Sequence, residues 1–273
     1  MRDSPDGSMM TAKIHPTALV DASAILHPTV EIGPYSIVGP HVSIGEGTIV
    51  GPHCVIDGHT SIGAHNTFYR FCSIGGAPQD KKYAGEPTRL EIGDRNMVRE
   101  YVTFNTGTIQ DVGVTRLGHD NWVMAYVHVA HDCQIGSHTI LANGVQMGGH
   151  VHVGDWAIVG GLAAVHQFGK IGAHAMVGGQ SALHMDVPPY VMGAGNPCVP
   201  VGVNTEGLKR RGFNPESIAA LRDAYKMLYR RGLSLDDAKN QIRARQTQEP
   251  ITAEALQVLL DFLESSARGI IRP

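Results

Sequence analysis

The fold is decided by residues 117–183, LGHDNWVMAYVHVAHDCQIGSHTILANGVQMGGHVHVGDWAIVGGLAAVHQFGKIGAHAMVGGQSAL. Steps of six from Leu117 reach Val123, Val129, Ile135, Leu141, Met147, Val153, Val159, Val165, Ile171, Val177 and Leu183, all aliphatic or Met. Glycine follows directly at Gly118, Gly136, Gly148, Gly154, Gly160, Gly172 and Gly178. A period of six suits neither a helical turn of about 3.6 residues nor the two-residue alternation of a strand. It suits a solenoid of short parallel strands in which each hexad forms one side of a coil.

The same rhythm runs earlier, from Ile14 through Val20, Leu26, Ile32, Val38, Ile44, Val50, Ile56, Ile62 and Phe68 to Ile74. Residues 75–91, GGAPQDKKYAGEPTRLE, break it: the sixth-step positions become Asp80 and Glu86, although the count to Ile92 stays a multiple of six. This reads as a loop extruded from one corner, and a long loop in a compact array points to function. The rhythm returns at Ile92, Val98 and Phe104, and a second break, 105–116 (NTGTIQDVGVTR), carries no signal of its own.

The array ends at Asp186-Val187-Pro188-Pro189, where proline stops strand pairing. Residues 190–213 read as an irregular crossing segment. A helical period follows: Asn214-Pro215-Glu216 starts a first helix, Ser234 caps a second to about Arg245, and Thr252 caps a third ending near Gly269. The expected organisation is a flexible extension (1–12), a β-helix domain (13–189, with loops at 75–91 and 105–116), and a crossing segment with a helical domain (190–273). The fold class is mainly β, a parallel β-helix whose open end the helices cover.

Composition narrows the function. The net charge of −3 gives no basic field for nucleic acid. No apolar run approaches the roughly 18 residues of a membrane span. MRDSPDGSMMTAK lacks the apolar stretch of a signal peptide, which predicts a cytoplasmic protein. Cys54, Cys72, Cys133 and Cys198 form no CxxC pair, against a structural zinc site. Cys54 and Cys72 fall one coil apart and should stay reduced.

With three hexads per coil, residues 18 apart stack at about 4.8 Å. Gly149 then lies over His131, Gln167 over Gly149, and His150 over Asp132, with His128 on the coil of His131 and His166 beside Gln167. Polar residues therefore gather along one edge. His15, His27, His41, His53, His59 and His65 read as solvated turn residues.

Such hexad arrays resemble the left-handed β-helix acyltransferases. Four segments narrow the resemblance to the UDP-N-acetylglucosamine 3-O-acyltransferase family: His128-Val129-Ala130-His131-Asp132-Cys133, the loop from Gln79 to Thr88, Ala164-Val165-His166-Gln167-Phe168, and Asn204 to Phe213. The resemblance implies a left-handed helix, a homotrimer with sites at subunit interfaces, and the first step of lipid A synthesis. The acceptor would be UDP-N-acetylglucosamine. The donor would be a hydroxyacyl group on the phosphopantetheine arm of acyl carrier protein, with no metal and no further cofactor.

Acyl transfer to a hydroxyl needs a base near neutrality and donors for the tetrahedral oxyanion. His131 suits the first task, with Asp132 to orient its ring, and the bare backbone N–H of Gly149 suits the second. The resemblance assigns His131 and Gly149 the same roles. It further implies that Asp80 and Lys82 hold the sugar, and that His128, His150, His166, Gln167, Asn204, Glu206, Arg210 and Arg211 line the donor and nucleotide sites. It places the limit on acyl length at Gly179, whose missing side chain would admit a long, myristoyl-class chain. At Asn105 the family pattern has His, so that position is given no role.

Loop 75–91 is expected to meet the histidine edge from a neighbouring chain, since several coils separate them. Arg222, Lys226 and Arg230 share one helix face with no acidic ladder opposite, a surface for the acidic carrier protein. Three rivals remain. The sister UDP-3-O-acylglucosamine N-acyltransferase normally has a further domain ahead of the hexads, which here begin at Ile14. A γ-class zinc carbonic anhydrase would use three histidines across a subunit boundary, but the spacing of His128 and His131 and the sugar-binding loop argue against it. A structural solenoid would not need the histidine edge.

Overall fold

The computed structural model describes residues 11–273, so of the expected extension 1–12 all but Thr11 and Ala12 lies outside the described residues. Short strands recur from Lys13–Ile14 to Ala182–Leu183, and each pairs in parallel with its counterpart one coil later. Three sheets of eleven, nine and eight strands result, called first, second and third here in the order the chain meets them. One coil is 18 residues, as in Lys13↔Glu31 and Leu19↔Ile37. The offset grows to 30 at Ser73↔Thr103 and is 25 at Thr103↔His128, so the two loops add twelve and seven residues; the register slips by one residue between Ile74 and Gly76, where the first loop leaves the sheet.

Each coil turns three aliphatic side chains inward; Val123, Val129 and Ile135 are no more than 4% exposed. Full burial contributes roughly 1.5–3 kcal/mol per side chain. Where glycine follows the inward aliphatic, it serves close approach of the coils. A Cβ on Gly148 would stand 2.7 Å from Gln167 N, and one on Gly160 2.5 Å from Gly179 N.

The left-handed corner position is filled mostly by larger residues, such as Asp132, His150 and Phe168 at φ 60°, 63° and 65°. That conformation costs on the order of 1–2 kcal/mol, offset by contact between coils. Tyr35, His53, Phe71, Tyr101 and Tyr126 stack in one column with centroids 4.9–5.1 Å apart. His41 and His53 are exposed turn residues as read, although each also stacks on a neighbouring ring; His59, which His41 meets at 4.3 Å, instead lies half-buried in a strand.

The breaks are tighter than the periodicity suggested. Strands Ser73–Gly76 and Arg89–Ile92 leave 77–88 as the first loop, and Thr103–Asn105 and Val114–Leu117 leave 106–113 as the second. Leu90 and Val114, each 1% exposed, draw the loop ends into the sheets.

The crossing segment is more regular than expected. Val191–Ala194 joins the first sheet in parallel and Val199–Val203 pairs antiparallel with it, because burial there alternates with period two. Helix α1 (Thr205–Arg210) follows, with Asn204 as its cap. Helix α2 (Pro215–Tyr229) is capped by Asn214 and α3 (Leu235–Gln248) by Ser234. Before α4 (Ala253–Ser265), Thr252 makes no cap; it ends a 3-10 turn and its hydroxyl donates to Glu249 O at 2.8 Å. Helix α2 packs on Val199–Val203, and its Tyr225 joins Val191, Cys198 and Ile271 in the apolar cluster of the β-helix core.

Candidate active site

One corner, between the second and third sheets, carries loop 77–88, loop 106–113, His131-Asp132, Gly149-His150 and Gln167-Phe168 on successive coils. The expectation that several coils part the first loop from the histidine edge is thus corrected. They stand two coils apart on the same corner, about 10 Å, because the loops insert at that corner alone.

His131 and Asp132 form a dyad, with Nδ1 2.9 Å from Asp132 Oδ2. Asp132 is fully buried and His131 nearly so, at 0% and 12% side-chain exposure. The carboxylate is fixed by the second loop: Thr108 N donates to both oxygens at 3.0 Å, and Thr108 Oγ1 to Oδ2 at 2.6 Å. A carboxylate accepts, so Nδ1 of His131 carries the proton and Nε2 is left as the free base. Gly149 lies directly above. An added Cβ would come within 2.5 Å of His131 Cε1 and 2.6 Å of Nε2. Its neighbour His150 donates its N–H to His131 O at 2.9 Å, whereas no backbone acceptor takes the Gly149 N–H among the described residues.

His150 meets His131 edge-on at 4.9 Å and stacks on Phe168 at 4.2 Å. Its Nδ1 is 2.7 Å from Asp111 Oδ2, another residue of the second loop. Thr108 and Asp111 were not singled out by the sequence, and their polar stretch offers no pattern by which they could have been. His128 is half-buried, its Nδ1 2.7 Å from Thr103 Oγ1, and burial followed by His131 holds its pKa below the usual value. His166 and Gln167 are exposed one coil above Gly149. His166 Nδ1 lies 3.0 Å from Gln167 O and 3.1 Å from Arg268.

In the first loop, Asp80 Oδ1 accepts from Lys82 N at 2.9 Å, and the Lys82 side chain is exposed. Asn105, left without a role above, donates from Nδ2 to Ala77 O at 3.0 Å and anchors the start of that loop. Its Oδ1 is buried without a partner.

The remaining expected residues stand elsewhere. Arg211 lies over Trp156, 5.2 Å from the ring centroid, and 3.3 Å from His174 Nδ1, at the corner between the third and first sheets. Beside it a cavity of about 500 Å³ is lined by Trp156, His174, Tyr190, Arg211 and Phe213. Asn204 uses both ends within the chain, accepting from Gly207 N at 3.2 Å and donating to His174 O at 3.0 Å. Glu206 pairs with Lys209 at 2.8 Å, and Arg210 is exposed. Gly179 lies at the corner between the first and second sheets, in a groove of about 610 Å³ lined by Tyr126, Gly144, Gly161, Leu162 and Gln180.

Arg222 and Lys226 on α2 are exposed, as is Arg230, but Arg230 is the C-cap residue with a non-helical backbone and so leaves the expected face, and that face is not free of acid. Lys226 pairs with Asp223 at 3.1 Å, one helical turn back, and Asp223 also holds Arg245.

His131, Asp132 and His150 place one ligand atom each within 4.8 Å of the others, which could hold a cation. The donor set fits that poorly. Asp132 Oδ2 already accepts from Thr108 and His131, and His150 Nδ1 is turned to Asp111.

Residues 186–271 match the family described as Udp N-acetylglucosamine O-acyltransferase, Domain 2, and residues 115–149 match the bacterial transferase hexapeptide. An acyl-[acyl-carrier-protein]–UDP-N-acetylglucosamine O-acyltransferase of Janthinobacterium sp. is 58% identical over 207 residues, 76% of this chain and 79% of the relative. The crystal structure of UDP-N-acetylglucosamine O-acyltransferase from Moraxella catarrhalis superposes with TM-score 0.92 at 46% identity, over 95% of this chain and 99% of its own. That of Arabidopsis UDP-N-acetylglucosamine acyltransferase does so with TM-score 0.80 at 32% identity, over 94% and 99%. The β-helix is accordingly left-handed, with a C-terminal helical domain.

Proposed function

Because the chain belongs to the UDP-N-acetylglucosamine O-acyltransferase family, we propose that His131, Asp132 and Gly149 carry out its acyl transfer. The protein is an acyl-carrier-protein-dependent O-acyltransferase of the first step of lipid A biosynthesis. In our reading the acyl group is a 3-hydroxyacyl chain and the acceptor atom is the sugar 3-hydroxyl.

His131 Nε2 takes the proton from that hydroxyl as its oxygen attacks the thioester carbonyl carbon. Asp132 holds Nδ1–H and stabilises the imidazolium. The Gly149 N–H donates to the oxyanion of the tetrahedral intermediate. As the C–S bond breaks, the imidazolium returns its proton to the departing phosphopantetheine thiolate, so the base is regenerated. The donor's phosphopantetheine carries the reactive thioester, and no metal enters the reading. The observation that carries it is the buried dyad under a backbone N–H that no backbone acceptor takes among the described residues.

The distribution of parts supports a homotrimer with shared sites. The base occupies one corner of the prism, Arg211 a second, and the groove at Gly179 a third. A single site that gathers the hydroxyl, the diphosphate and the acyl chain therefore needs corners of adjacent chains. Exposed Tyr35, Phe71, Tyr101, Tyr126 and Leu162, at 41–64%, provide an apolar ridge for such contact. A cytoplasmic location belongs to the same reading; four free, buried thiols fit a reducing compartment. Among the described residues no helix is long and apolar enough to cross a membrane.

The test is the purified protein with UDP-N-acetylglucosamine and 3-hydroxyacyl carrier protein, the product read by mass spectrometry. A singly O-acylated sugar nucleotide is expected from the wild type. His131→Ala should turn over about 10²–10⁴-fold more slowly, and a folded His131→Ala protein with near-normal turnover would refute the base assignment.

A further inference from the structure

The second loop supplies two side chains to the histidine corner, Thr108 and Asp111, and only the first serves the dyad. Thr108 serves Asp132. Asp111, 37% exposed, reaches His150, whose side chain is 11% exposed, with Oδ2 2.7 Å from Nδ1. The coil that carries His150 has no carboxylate of its own at this corner, where Gly149 and Val151 flank it. Asp132 Oδ2 lies 3.9 Å from the same nitrogen, beyond hydrogen-bond reach. It already accepts from Thr108 and His131.

The His150 ring is defined on three sides: flat on Phe168 with an interplanar angle of 4°, edge-on to His131 at 89°, and tied at Nδ1 to Asp111. Stacking fixes the plane of an imidazole but not which nitrogen is which. A ring flip would keep the stack while moving Nδ1 and Nε2. Among the described residues the bond to Asp111 is what selects between the two orientations, because a carboxylate demands a donor.

We propose that Asp111 is a positioning residue for the transfer reaction. It holds the Nδ1 proton of His150, fixes the ring's flip and tautomer, and leaves Nε2 as the nitrogen available to the substrates. It also keeps His150 Nδ1 from turning to Asp132 and competing with His131 for the carboxylate. The corner then contains two acid–imidazole pairs one coil apart, Asp132–His131 and Asp111–His150, the first built into the coil and the second delivered by the loop. The inference rests on the reading of His131 as the base.

The test compares Asp111→Ala, Asp111→Asn and His131→Ala in the full-length protein, with steady-state kinetics for both substrates. Asn can still accept from Nδ1–H but carries no charge. Asp111→Ala should lower kcat by about 10–100-fold, the scale of a catalytic group displaced by about an ångström. Asp111→Asn should stay within about 3-fold of wild type, since it keeps the acceptor. Imidazole ¹⁵N–¹H spectra, with the His150 signal identified by its loss in His150→Gln, should show the Nδ1–H form in wild type and Asp111→Asn. The Asp111→Ala spectrum should lose it.

Wild-type kcat in Asp111→Ala overturns the proposal, as does an unchanged His150 tautomer in that variant. Equal damage from Asn and Ala overturns it too, because charge rather than position would then be at work. Should Asp111→Ala fail to fold, Asp111→Leu, which likewise has no acceptor for Nδ1–H, takes its place in both measurements with the same expected outcomes. An active His131→Ala protein would instead sink the base assignment, whatever Asp111 does.

Discussion

Gly149→Ala puts a single methyl group between the base and the oxyanion donor. Gly149 does not have a positive φ, so alanine suits the backbone, and the strain falls on the contact across the coils. The new Cβ would stand 2.5 Å from His131 Cε1, 2.6 Å from Nε2 and 3.0 Å from Nδ1, where ordinary contact begins at 3.4 Å. The ring must yield by about 0.9 Å, the shortfall at Cε1. A shift of that size away from Gly149 strains the 2.9 Å bond to Asp132 and moves Nε2 from the attacking hydroxyl.

Misplacement by about 1 Å costs on the order of 10²-fold, equivalent to about 2.7 kcal/mol of activation free energy. Stability should change less. Restricting the unfolded chain contributes about 0.4–1 kcal/mol, against crowding of about 1–3 kcal/mol. The assay is kcat and KM for both substrates, with melting temperature and native mass as controls. A folded Gly149→Ala enzyme with kcat within about 3-fold of wild type refutes the placement of His131 under this N–H as the reacting geometry.

Three further outcomes are expected. If sites form between chains, His131→Ala and Arg211→Ala should each lose activity, and mixing them with subunit exchange should restore it; none after exchange is proven by mass spectrometry counts against shared sites. Burial, then Arg211, holds His174 down to about 4 against an ordinary value of 6.5, with Asp155 opposing. The unfolded chain therefore binds that proton first, and stability should fall as pH drops from about 6.5 to about 4, then level off. His174→Phe keeps a ring between Trp156 and Tyr190 and should flatten that stretch of the melting profile; parallel curves would contradict the assignment. Reversing Arg222 of α2 and Arg230 at its C-terminal cap, which have no carboxylate within 4 Å among the described residues, should raise KM for the carrier-linked donor and leave that for UDP-N-acetylglucosamine nearly unchanged. Equal damage to both substrates would indicate misfolding rather than docking.

The sequence by itself determined the prism. A six-residue period with aliphatic residues at every step has one efficient solution, in which three hexads close a coil and the apolar positions stack inward. From that count alone Gly149 falls over His131 and His150 over Asp132, and the histidine edge is legible because a corner column is a fixed arithmetic of 18 residues. Helix starts at Asn214 and Ser234 were legible for a local reason, since a cap is a hydrogen bond within three residues.

Only the tertiary structure decided what meets that edge from outside the period. Thr108 and Asp111 lie in a stretch with no repeat, and nothing local says that a seven-residue insertion folds back onto a corner 24 to 39 residues later in the chain. The same holds for Arg211, which leaves the array and returns to the corner of Trp156 and His174, and for Arg245 of α3, which meets Asp223 of α2. Periodicity fixes positions along the coil axis. The direction a loop takes, and the partner a surface charge finds, depend on contacts between segments, which the hexad pattern does not encode.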